Sequence, residues 1–212
     1  MIPFSPEVFF ALFEEYNLAI WPAQFAAYAL GLLVLILAVR PSRVSSGVIG
    51  AILAALWMWN GVAYHWFFFA PINFSAPVFA GFFILQALLL LWKFVIQRDA
   101  MIGFRRDAPG ITGLTLMIVA LAGYPLLANV ADHGGLQSAV FGVAPTPTVI
   151  FTLGVLLLAR PRAPLVLMIV PLLWSVIGGL AVWLVGIPED VVLPVAGVLA
   201  VNLVLWQRRG QA

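Results

Sequence analysis

The sequence predicts an all-α membrane protein with seven transmembrane helices, and three observations predict it. Of its 212 residues, 64% are hydrophobic and only 8% are charged, with a mean hydropathy of +1.12. A soluble domain carries about 25% charged residues, so this chain lacks the polar side chains to cover a soluble surface. Its apolar residues fall in runs of about 20, the length a helix needs to cross a bilayer. The runs are continuous rather than alternating, which sets the chain apart from a membrane β-barrel. Residues 1–212 read as one integral membrane domain.

In chain order, the N-terminal M-I-P-F-S-P-E lacks the positive n-region of a cleaved signal peptide, so the first apolar run is expected to be retained. Ser5-Pro6-Glu7 is a helix start, with a capping residue followed by proline at the first helical position. Glu7 to Tyr16 mixes phenylalanines with Glu14 and Glu15 and reads as a short amphipathic helix at the membrane interface. Hydropathy then places spans at about 17–39, 44–68, 75–97, 110–130, 144–159, 164–187 and 190–207. Pro22 lies in the outer part of the first span, and Pro145 and Pro147 open the short fifth one. Proline-broken or short segments at matching places in two halves mark transporter binding sites, although prolines also simply start and end helices. Pro125 and Pro171 predict kinks in spans four and six.

The basic residues give the orientation. Arg40 and Arg43 follow span one, and Lys93, Arg98, Arg105 and Arg106 surround the break after span three. Arg160 and Arg162 follow span five, and Arg208 and Arg209 follow span seven. With seven spans, all of them fall on one side, which the positive-inside rule makes cytoplasmic. The N-terminus is then outside and the C-terminus cytoplasmic. Glu7, Glu14, Glu15, Asp132, Glu189, Asp190 and both histidines fall on the outer side. The sequence pI of about 9.4 therefore reports topology in a cell (inner) membrane and not a nucleic-acid partner. The chain has no cysteine, which excludes disulfides, thiolate nucleophiles and cysteine metal ligands.

Spans one to three and five to seven read as a candidate internal repeat. Arg40-Pro41 aligns with Arg160-Pro161, Pro77-Val78 with Pro194-Val195, and Trp92 with Trp206. The resulting parallel 3+1+3 layout is that of SWEET-type sugar transporters, a topological analogy that says nothing of sugar.

Polar groups inside a bilayer need partners, so each marks either a helix tie or a site. Asn60, Tyr64 and His65 lie in span two, Gln86 in span three, Trp174 and Ser175 in span six, and Asn202 in span seven. Asn60 and Tyr64, four apart, share a helix face. Gln86 and Asn202 occupy comparable places in the two halves, where facing amides would suit a neutral polar solute. Alternatively, these amides tie helices together. His65, with Trp59, Tyr64 and Trp66 around it, is either part of the aromatic belt or joins Glu14, Asp132 or His133 to bind a cation or move protons. No spacing among them matches a metal motif. There is no H-E-x-x-H, Walker or G-x-S-x-G motif. The single lysine, Lys93, lies near the inner end of span three, which disfavours a retinal opsin.

Four strings, Y-N-L-A-I-W-P-A-Q (Tyr16–Gln24), W-N-G-V-A-Y-H-W-F-F-F-A-P-I-N (Trp59–Asn73), F-G-V-A-P-T-P-T (Phe141–Thr148) and G-I-P-E-D (Gly186–Asp190), together resemble a bacterial multi-pass membrane family, domain of unknown function 6064. The likeness runs over nearly the whole chain. It implies a bacterial membrane protein and supplies no activity, substrate, cofactor or catalytic residue. The resemblance also implies a cysteine between the two prolines where this chain has Thr146, so thiol chemistry is not expected there.

Three functions remain open on the sequence. A small transporter or channel for a polar solute or ion ranks first, with Asn60, Tyr64, His65, Gln86, Trp174 and Asn202 as ligand-binding candidates. A non-catalytic partner or sensor subunit, or a homo-oligomer, ranks second. A metal or catalytic site on the outer face ranks third, with His65, His133 and Glu14 as weak metal candidates. The lipid bilayer is the one partner common to all three.

Overall fold

The computed structural model describes residues 4–98, 100–131 and 134–209, with Arg209 described by its backbone alone. Asp132 and His133, both named as candidates or outer acids above, lie outside the described residues. Among the described residues the fold is helical apart from one two-residue strand pairing.

Helix α1 (Pro6–Ala19) begins with Pro6 after the capping position Ser5. It meets α2 (Ala23–Val39) at an angle of 86°, the chain turning at Trp21-Pro22. Residues 17–19, which hydropathy joined to the first span, therefore belong to α1. Helix α3 (Arg43–Phe69) starts in a capping box, in which the Ser45 N–H donates to Ser42 Oγ at 2.9 Å and the Ser42 N–H to Ser45 Oγ at 2.8 Å. From Asn60 to Phe69 its turns widen to π geometry, and the Ala70 N–H reaches back five residues to the His65 carbonyl at 3.0 Å. Helix α4 (Ala76–Gln97) ends in similar wide turns at Arg98, whose φ is 53°.

Asp107 caps α5 (Ala108–Val130), accepting from the Gly110 N–H at 2.9 Å. Wide turns at Val119–Gly123 precede Pro125, where proline cannot continue regular hydrogen bonding. Helix α6 (Pro145–Leu157) is followed by α7 (Val166–Val185), which contains Pro171 and ends at Gly186 with φ 79°, a left-handed cap. A short turn, Pro188–Val191, leads into α8 (Val192–Arg209).

Among the described residues, five helices (α3, α4, α5, α7, and α8 with its preceding turn) are long and apolar enough to cross a membrane, or six if the bent α1–α2 pair counts as one. The expected seventh crossing is α6. It has 13 residues, about 20 Å of helix, and every one of them is buried. It is a short axial helix packed by α5, α7, α8 and α3. Helix α5 lies close against it because Gly113 and Gly154 face each other. A Cβ built on Gly154 would sit 2.5 Å from the Gly113 carbonyl oxygen.

The two ends of the bundle carry different polar groups. At one end the strands β1 (Met101–Ile102) and β2 (Ala159–Arg160) pair antiparallel. There Arg160 donates to the Phe104 carbonyl at 2.7 Å and Arg208 to the Ala163 carbonyl at 2.8 Å. We call this the basic end. The other, acidic end holds α1, the Gly135–Gln137 turn and the Pro188–Val191 turn with Glu189 and Asp190.

Candidate functional site

A cavity of about 240 Å³ opens at the acidic end, where α1, α3, α4 and α7 meet the start of α6. Its walls are apolar and mainly aromatic. Phe9 and Phe13 come from α1, Tyr64 and Phe69 from α3, Phe79 from α4, and Trp174 with Ile177 from α7. The period of α1 explains its share: Phe9 and Phe13, four apart, lie on one helix face, and their rings stand 5.1 Å apart edge to face. Tyr64 stacks against Phe13 at 5.3 Å and against Phe69 at 5.6 Å.

Asn73 and Gln137 also line it, and four further polar groups form a cluster. Tyr124 of α5, Thr146 at the start of α6, and Glu189 and Asp190 of the last turn all line the cavity, and all four are buried. The Tyr124 hydroxyl donates to Asp190 Oδ1. The Thr146 side chain stands beside both on the cavity lining. Asp190 thus shares the lining with Pro145 and Thr146, the first two residues of the axial helix. Among the described residues, no lysine or arginine lines the cavity.

Tyr64 and Trp174 are the two sequence-selected residues on the cavity wall. The Trp174 indole Nε1 is buried and has no hydrogen-bond partner. His65 lies behind this wall and not in an exposed belt. It is 0% exposed, with ring centroids 4.6 Å from Phe83, 5.1 Å from Trp174, 5.9 Å from Phe79 and 6.0 Å from Phe69. Neither of its ring nitrogens has a hydrogen-bond partner.

Asn60 ties α3 to the segment before α6, its Nδ2 donating to the Leu56 carbonyl at 2.8 Å and the Gly142 carbonyl at 2.9 Å. Gln86 ties α4 to α7 by donating to the Leu167 carbonyl at 3.0 Å. Asn202 is exposed and donates to the Val198 carbonyl of its own helix at 2.8 Å. Gln86 is fully buried, so the two amides do not form the facing pair that their matching sequence positions suggested. A span drawn on hydropathy carries no information on which way a side chain faces.

Of the weak metal candidates, His133 lies outside the described residues, and Glu14 and His65 have separate surroundings. Glu14 accepts from Gln137 Nε2 at 3.2 Å, and His65 is enclosed by aromatic rings. Among the described residues no three histidine, aspartate or glutamate side chains gather where a metal ion could be held. Sequence reasoning passed over Tyr124 and treated Glu189 and Asp190 only as topology markers. Two adjacent acids at the head of an apolar run, after a proline, were the signal available.

An all-helical bundle with five or six membrane-length apolar helices, and an aromatic cavity ending in a small polar cluster, defines the class to which this chain belongs. Within that class the family is shown: the model of the Family of unknown function (DUF6064) matches residues 6–212, and the chain belongs to that family. No curated protein and no solved structure matches.

Proposed function

We propose that the protein is an integral protein of the cell (inner) membrane that binds a small amphipathic molecule in the cavity at its acidic end. The observation that carries this reading is a mainly aromatic cavity wall that holds a compact polar cluster, Tyr124, Thr146, Glu189 and Asp190. Ligand sites are mostly apolar with a few convergent polar groups that fix orientation. Its volume of about 240 Å³ lies below the ~300–1,000 Å³ of drug-sized sites, which points to a smaller ligand. The basic end faces the cytoplasm by the positive-inside rule, so the cavity opens outward.

Transport of the bound molecule is the second reading, and α6 favours it. A short helix starting at the polar cluster and flanked by prolines is a device that transporters use at their binding sites. Because α6 fills the centre of the bundle, binding followed by conformational exchange suits the fold better than an open channel.

A thermal-shift screen of the purified protein in detergent, with small amphipathic molecules, tests the binding reading. A ligand at 100 times its dissociation constant adds about 2.7 kcal/mol, a visible rise in Tm. The rise is expected to vanish in Trp174→Ala and persist in Asn202→Ala. A panel without any rise, or one whose rise survives Trp174→Ala intact, counts against the cavity.

A further inference from the structure

We propose that a groove between α2 and the start of α5, at the basic end, holds one anionic phospholipid. Its phosphate lies at Arg106 and an acyl chain lies along the apolar lining. The site shares no residue with the cavity at the acidic end, so the two readings stand or fall separately.

The groove comes from the way two helices diverge. At Gly31, α2 comes close to α5, where a Cβ built on the glycine would sit 2.9 Å from a Leu121 methyl. Towards the basic end a space opens, lined by Leu35 and Val39 of α2, Leu114 of α5, and Leu158, which follows α6. The loop before α5 is fastened across this end. The Phe104 N–H donates to the Ala38 carbonyl at 2.9 Å and the Gly103 N–H to the Leu158 carbonyl at 3.1 Å. The next two residues, Arg105 and Arg106, complete the lining. Leu114 lies six residues into α5 from Ala108, about 9 Å along the helix. The lining therefore passes from charged groups to hydrocarbon depth, which is the order of groups in a phospholipid. Val39 is exposed, which leaves the groove open to the surrounding bilayer.

Charge selects the occupant. Arg105 is already satisfied, pairing with Asp107 at 2.9 Å and donating to the Leu157 carbonyl at 3.3 Å. At the same end Arg160 and Arg208 donate to backbone carbonyls. Arg106 is exposed and, among the described residues, makes no hydrogen bond or ion pair. Arg40 follows Val39 directly and adds a further positive charge, and no carboxylate of the described residues lines the groove. Basic pockets between membrane helices on the cytoplasmic side take anionic head groups, and a guanidinium matches two phosphate oxygens at once. A soluble anion would use Arg106 and none of the leucines. A zwitterionic lipid would bring its own ammonium group towards the arginines. An anionic phospholipid matches both the charge and the apolar lining.

The test is native mass spectrometry of the full-length protein in detergent, titrated with phosphatidylglycerol and phosphatidylcholine of identical acyl chains. An arginine near an anionic head group contributes ~1 kcal/mol, so phosphatidylglycerol is expected to bind at least about five-fold more tightly. Arg106→Gln, at an exposed position, is expected to bring the two lipids within about two-fold of each other. Arg43→Gln removes the same charge at the exposed start of α3, outside the lining, and is expected to leave the preference intact. Glycerol phosphate, the head group without chains, is expected not to displace the lipid. Equal binding of the two lipids by the unaltered protein overturns the proposal. Equal narrowing by Arg43→Gln and Arg106→Gln reduces the preference to diffuse surface charge and overturns the groove as its source. Displacement by glycerol phosphate overturns the lipid in favour of a soluble anion.

Discussion

Helices α2 and α6 head the two triplets of the candidate repeat, and each is followed by an Arg-Pro pair, Arg40-Pro41 and Arg160-Pro161. They end up in opposite surroundings. Phe25 and Ile36 of α2 are each 64% exposed, whereas no residue of α6 is. Hydropathy reports how apolar a segment is, and an apolar segment is equally at home against lipid or protein. What separates the two is the kind of side chain interspersed among the aliphatic ones. Helix α6 carries threonines that bond inside the bundle: Thr152 donates to the Thr148 carbonyl at 2.8 Å and accepts from Trp57 Nε1 at 2.8 Å. It also carries Gly154, which admits α5 to backbone contact.

Substitutions of the same kind should therefore cost very different amounts in the two helices. The largest effect is expected at the aliphatic positions. Ile150→Ala in α6 removes fully buried methyl groups and should cost about 2–5 kcal/mol, while Ile36→Ala in α2 stays within about 0.5 kcal/mol. Reversible unfolding in mixed micelles measures both, and equal costs would erase the contrast.

Next comes the glycine contact. Gly154→Leu should cost about 1–3 kcal/mol by forcing α5 and α6 apart, against a near-neutral Gly81→Leu, whose Cβ would meet nothing within 4 Å. Thr152→Val is smaller, at about 1 kcal/mol, because it strands the buried Trp57 indole N–H. Asn202→Leu, on an exposed face, should change stability by less than about 0.5 kcal/mol in the same assay.

Much of the fold was legible in the sequence because bilayer-length hydropathy and charge placement are strong constraints. The apolar segments are helical, five or six of them long enough to cross a membrane and not seven, and the amphipathic Glu7–Tyr16 stretch became most of α1. The site was legible only in part. Tyr64 and Trp174 stood out as polar-edged aromatics and do line the cavity. Asn60 and Gln86 stood out as buried amides and bond backbone carbonyls of other segments. Tyr124, Thr146 and Asp190 come from three segments far apart in sequence and gain meaning only when α5, α6 and the last turn meet. Nor did residue types announce the π turns of Asn60–Phe69, which depend on hydrogen-bond register and not on composition.

The chain contains no cysteine, so single cysteines can be introduced and read without background. The most direct test of the cavity is the rate at which a small water-soluble thiol reagent modifies Thr146→Cys and Thr152→Cys in intact membranes. Thr146 lines the cavity at the head of α6, whereas Thr152 lies two helical turns deeper and is fully buried. Rapid modification of Thr146→Cys, slowed by a cavity ligand, with Thr152→Cys inert, is the expected result. Equal rates at the two positions, or an inert Thr146→Cys in a folded protein, would contradict a cavity that opens at the acidic end and closes on α6.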